Sequence, residues 1–168
     1  METKKIIILA IIGIVSFAVS LTVIQLLIRK RKLKSEANKE TNLSYSVLFL
    51  TWVICFAILN LKLISILNQF IDLIHKTNFQ NSIQEIVRTS ILFIGLANVW
   101  LIIWSSIANA FSLIFIGKKD SMNEIENNNY AYFLMKGTLA VSFIYCSMPI
   151  FEIALKHFLP NIEIPFYH

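Results

Sequence analysis

The chain has 168 residues, 57% of them hydrophobic and only 15% charged, with a formal net charge of +5. A soluble domain carries about 25% charge, so the composition excludes an ordinary soluble class and points to a membrane protein. No polar stretch is long enough for a second domain, and a single transmembrane domain over 1–168 is expected.

Apolar stretches at 5–28, 45–70, 89–116 and 130–159 each exceed the ~20 residues that a helix needs to cross ~30 Å of hydrocarbon. Polar residues with helical spacing prolong the middle two, so the predicted helices are 5–28, 45–75, 83–116 and 130–159. The fold class is all-α, an integral membrane four-helix bundle. The first stretch is longer than the apolar part of a signal peptide, and no small-residue cleavage pattern follows it, so it is expected to stay in the mature protein. Ser16 and Ser20 give it small-residue spacing for close backbone approach.

Arg29, Lys30, Arg31, Lys32, Lys34 and Lys39 crowd the first loop, and Lys118 and Lys119 open the third. Lys4, Lys5, Lys76, Arg88 and Lys156 are spread over the other side. Short loops rich in Lys and Arg stay cytoplasmic, which predicts loops one and three inside and both termini outside. The first loop, with Lys118 and Lys119, would bind anionic lipid headgroups or an acidic protein surface. It lacks the interleaved aromatics of a nucleic-acid reader.

The second predicted helix carries Lys62, Ser65, Gln69, Asp72 and Lys76 at spacings of three and four, on one stripe bordered by Asn68 and His75. Ionisable groups in a span face protein or water and invite a functional reading, here a wet vestibule or pore. The plainer reading is that Lys62 snorkels and that Asp72 and Lys76 pair on a helical collar outside the bilayer. Ser82, Ile83, Gln84 and Glu85 read as a capping box that opens the third helix. That helix carries a polar stripe of Asn98, Ser105, Asn109 and Ser112, either glue between helices or the lining of a pore. Ala108 and Ser112 repeat the small-residue spacing. Trp100 and Trp104, near mid-membrane, read as packing elements or a subunit contact.

Ser121, Met122, Asn123 and Glu124 read as a second capping box before the fourth helix. Tyr45, Tyr130 and Tyr132 are expected at the inner interface, and Phe158, Phe166 and Tyr167 at the outer one. Lys136 is expected to snorkel. Pro149 removes a backbone donor and should kink the helix. Glu152 lies ~31 Å along its helix from Ala131 and Lys62 ~25 Å from Tyr45, so neighbouring second and fourth helices would let the two pair. Cys55 and Cys146 fall within helices at different depths and read as small packing residues. His75, His157, Asp72 and Glu152 share the outer ends without a metal-ligand spacing, so no metal or cofactor is expected.

A shift of 86 positions places Ser20 on Ser106, Lys32 on Lys118, Ser35 on Ser121, Glu40 on Glu126 and Asn42 on Asn128. This predicts two tandem parallel copies of a helical hairpin, at about 1–80 and 81–168. In the second copy, Ile125, Glu126, Asn127, Asn128, Asn129, Tyr130 and Ala131, followed by Gly137, Thr138 and Leu139, resemble the entry to the second helix of a small inner-membrane family. It is catalogued as domain of unknown function 350. The resemblance covers about fifteen residues and implies four spans built from two tandem pairs. It supplies no activity, since the family has no settled one.

No GxSxG, Walker loop, HExxH or acid–base–nucleophile set at one depth is present, so the protein is expected to be non-enzymatic. The expected function is an oligomeric membrane scaffold or sensor that docks a cytoplasmic partner on its basic loops, as in a stress or phage-defence system. The alternative is an ion channel, with a polar stripe of the second or third helix facing the axis of a homo-oligomer. The Lys-, Asn- and Ile-rich composition suggests an AT-rich bacterium, hence an inner-membrane location.

Overall fold

The computed structural model describes residues 2–36, 42–76 and 82–159, except the side chains of residues 2, 30–36, 75, 76 and 82. Four long helices fill it: α1 (Glu2–Glu36), α2 (Leu43–Lys76), α3 (Ser82–Phe115) and α5 (Tyr130–His157), with a short α4 (Ser121–Glu126) before the last. All four long helices are long and apolar enough to cross a membrane, over Thr3–Arg29, Leu43–Ile74, Ile83–Phe115 and Tyr130–His157. The all-helical membrane bundle is therefore the architecture, and the chain is a multi-pass membrane protein. Its surface agrees: Ile14, Leu61, Ile83, Ile91, Ile114 and Ile153 all stand well exposed on helix faces, where hydrocarbon is the natural solvent.

The ends of α1, α3 and α4 and the starts of α2 and α5 lie together at what we term the basic end. Among the described residues, α2 packs against every other helix, whereas α1 and α5 do not touch. The four long helices thus form a rhomb whose short diagonal is α2–α3. Its core is a column of fully buried side chains on α2, from Phe56 through Leu59, Leu63 and Leu67 to Ile71. Phe93 and Leu101 of α3 and Phe133, Ile144 and Phe151 of α5 close it.

Lipid tails are as apolar as leucine, so helices associate in a bilayer mainly through close packing. Small residues provide it here. On α1, Gly13, Ser16 and Ser20 lie at helical spacing; both serines are fully buried, and a Cβ on Gly13 would come within 3.3 Å of Ile64 Cδ1 on α2. Ala108 and Ser112 are buried too. The small-residue faces of α1 and α3 are therefore consumed inside the bundle. An oligomer would have to use other faces of these helices.

The two loops at the basic end differ. The first predicted loop begins at Arg29, yet α1 continues as helix to Glu36, because no Gly or Pro interrupts residues 14–36. In the second half, Gly117 adopts φ +86°, a conformation that glycine alone enters freely, and α3 ends just before it. Asp120 then caps α4, its carboxylate accepting from Met122 N at 3.0 Å. The predicted cap at Ser121 is thus displaced by one residue: Ser121 already lies in the helix, and its hydroxyl meets Tyr132 Oη at 3.1 Å. The other predicted box begins at Ser82, whose side chain lies outside the described residues; its Glu85 stands 3.9 Å from Arg88. Pro149 lies inside α5 without ending it.

Candidate functional site

At the opposite end from the basic one, α2 carries the predicted stripe on its outward face, with Ser65, Gln69 and Asp72 exposed and Lys62 half-buried. The stripe is divided between two neighbours. Asp72 pairs with Lys5 of α1; the side chain of its expected partner, Lys76, lies outside the described residues. Lys62 pairs with Glu152 of α5, as the matched depths anticipate, and Glu152 also binds Lys156 at 2.8 Å. Because α1 and α5 do not touch, Ser65 and Gln69 are left in the gap between these two ionic ties. Lys62 is thus tied to another span instead of merely snorkelling. In a membrane segment a paired charge avoids most of the cost of an isolated one. We expect Glu152→Gln and Lys62→Met each to lower the melting temperature in detergent. The double variant should melt above the additive expectation. Additive losses in that cycle would refute a working pair.

The α3 stripe behaves differently from interhelical glue. Ser105 donates to Ile102 O at 2.9 Å, Ser112 to Asn109 O at 2.7 Å, and Asn98 Nδ2 to Ile94 O at 2.8 Å, all within α3. Each of these polar groups returns its hydrogen bond to the local backbone, the habit of small polar residues in helices. The bond that does cross to α5 is from Trp100 Nε1 to Ser147 Oγ, at 3.1 Å. Trp100 also packs 5.4 Å from Phe151, and Trp104 stacks 6.3 Å from Phe143, so both tryptophans pack inside the chain. Ser105 and Asn109 line a cavity of about 30 Å³ between α2, α3 and α5, with Thr51, Lys136 and Gly137 on its walls. That is room for about one water molecule.

At the basic end, Asn42 caps α2, its Oδ1 accepting from Tyr45 N at 3.1 Å. Its amide donates to Ile125 O of α4 at 2.6 Å. Asn128, with φ 49°, accepts from both Ser44 N (3.1 Å) and Ser44 Oγ (3.3 Å). Asn129 caps α5 and holds Glu124, which also stands 3.8 Å from Lys119. Lys136 reaches Ser121 Oγ at 3.2 Å and lies 5.5 Å from the centre of the Tyr132 ring, so this lysine has polar partners within the protein. Tyr132 itself is buried, and so is no interface anchor; Tyr130 and Phe158 are exposed as anchors should be. Phe166 and Tyr167 lie outside the described residues. Cys55 is buried in the core, but Cys146 is exposed and packs nothing inside.

Of the predicted basic residues, Arg29, Lys118 and Lys119 are exposed. Lys30, Arg31, Lys32 and Lys34 lie on the α1 helix with side chains outside the described residues, and Lys39 lies outside them altogether. Sequence reasoning missed Thr22 and Gln25, exposed polar residues two turns and one turn before Arg29. Only their polarity within an apolar run could have marked them.

These features define a multi-pass membrane protein with structural ion pairs at one end and a cationic helix at the other. Compared with known proteins, the chain finds no match: no family model fits it, and no curated protein or solved structure is similar.

Proposed function

We propose that the protein is a non-enzymatic scaffold or sensor of a bacterial inner membrane that docks an acidic cytoplasmic partner at its basic end. In this reading both termini lie outside, following the bias of Lys and Arg toward one side. The observation that carries it is the continuation of α1. The apolar run ends at Ile28, where Arg29 opens a run of cations, and the helix continues to Glu36. Residues 30–36 add about 10 Å of helical rise, so Lys30, Arg31, Lys32 and Lys34 ride on a continuous helix instead of a loop. A preformed helix presents charge with less ordering cost than a flexible segment.

Two observations support the duplicated hairpin. Thr51 of α2 meets Gly137 of α5, and the two positions are 86 apart, the shift of the repeat. The α1–α2 contact likewise recurs as α3–α5, although α2 packs on α3 while their counterparts α5 and α1 do not touch, so the two hairpins are not related by a twofold axis. The likeness of residues 125–139 to the family catalogued as domain of unknown function 350 agrees with that architecture. A pore through a homo-oligomer is the second reading, favoured by the exposed Asn109 at the cavity that Ser105 lines.

The test is mass spectrometry of what co-purifies from native membranes, with Lys30, Arg31, Lys32 and Lys34 intact or changed to Gln. A soluble partner held at low salt, shed at high salt, and reduced about tenfold or more in the variant is the expected result. Recovery of the chain alone, as a discrete oligomer at both salts, would replace this reading with the pore.

A further inference from the structure

We infer that the cleft between α1 and α2 at the basic end is a binding site for one anionic phospholipid. The cleft is an open groove of about 510 Å³ lined by Thr22, Gln25, Leu26, Arg29, Tyr45 and Phe49. Its chemistry is layered along the helix axis as a phospholipid is. Arg29 directly follows the apolar run of α1, and no carboxylate pairs with it among the described residues. A guanidinium at that depth matches a lipid phosphate with a bidentate, charge-assisted contact.

One turn deeper, Gln25 is exposed on the same face of α1 and inside the apolar span. An amide facing hydrocarbon is costly unless it bonds to something. The glycerol ester carbonyls of a lipid lie at that depth and accept hydrogen bonds. Leu26, 64% exposed, lies level with the amide, and Phe49, one turn deeper on α2 than Tyr45, offers apolar surface to the first acyl carbons. Thr22 bonds back to Ala18 O at 3.0 Å, so its hydroxyl can still accept but has no donor to spare.

The second half of the chain serves as an internal control. Eighty-six positions on, the groove residues are replaced by Ala108, Phe111, Ser112, Phe115, Ala131 and Met135. The hairpin therefore forms without this cation and amide, so packing alone does not account for them. The inference rests on the proposed reading that the basic end meets the leaflet rich in anionic lipid.

The test is native mass spectrometry of the full chain in detergent with equal phosphatidylglycerol and phosphatidylcholine. The intact protein should retain one phosphatidylglycerol preferentially. Arg29→Gln with Gln25→Leu should weaken that preference about tenfold, with an unchanged melting temperature in lipid-free detergent, because both residues are exposed. The variant with Lys30, Arg31, Lys32 and Lys34 changed to Gln should keep it, so a failure of partner docking is read separately. Loss of the preference in that variant alone, or none lost in the groove variant, would show diffuse attraction and overturn the site. Displacement of the lipid by millimolar inorganic phosphate would reassign the groove to a free anion.

Discussion

Changing Gly137 to Ala is expected to lower the stability of the bundle by about 1–3 kcal/mol, and changing it to Leu should prevent α2 and α5 from seating at all. A Cβ at this position meets Thr51 directly, with Cγ2 at 3.1 Å, Cβ at 3.3 Å and the hydroxyl oxygen closer still. Threonine is branched at Cβ and cannot swing away cheaply, and its hydroxyl is also engaged, donating to Val47 O at 2.9 Å. Relief must come from backbone movement between the two helices that share the most extensive contact in the molecule. In a bilayer that contact depends on close approach, so the loss has little to compensate it. Thermal unfolding in detergent checks the magnitude. Thr51→Ala in the Gly137→Ala background should recover most of it, because it removes the two side-chain atoms in the way. No recovery would mean that Gly137 matters through helix flexibility and not through this contact.

Asn42→Ala should cost about 2 kcal/mol, from two separable losses. The helix cap contributes about 1 kcal/mol. The remainder, about 1 kcal/mol, is the lost bond from the Asn42 amide to the Ile125 carbonyl at 2.6 Å; that carbonyl keeps its bond from Asn128 N at 3.0 Å, so it is not left unsatisfied. Asn42→Ser separates the two, since serine still caps α2 but is too short to span to α4. It should retain the first contribution and lose the second. Equal stability of the Ser variant and the native chain would show that the tie to α4 adds nothing. If the loss is real, amide exchange should accelerate at the start of α2 and in α4 together, because Asn128 holds Ser44 from the same turn.

These two residues also mark where sequence reading reached and where it stopped. Asn42 was visible as half of a repeated pattern with Asn128, and an Asn before an apolar run is an ordinary helix start. Its reach to Ile125, across 83 positions, was not visible, because nothing local encodes it. Gly137 was noted only within a family resemblance, and its role depends on which residue of α2 stands opposite. The Lys62–Glu152 pair lay between these cases: helical rise alone matched the depths, while the adjacency of α2 and α5 had to come from packing.

The sequence by itself determined that this chain crosses a membrane four times, since the apolar length of each span and the scarcity of charge leave backbone polar groups no other solution. It also determined which end is basic, a property that resides in composition. Only the tertiary structure decided the partners of the polar groups. Asp72 turned to Lys5, the α3 stripe turned back on its own carbonyls, and the basic run became a helix because no residue there could stop one. The reason is physical. Burial in lipid is set by each segment alone, whereas a hydrogen bond or ion pair between spans is chosen by the register and rotation of helices far apart in the chain.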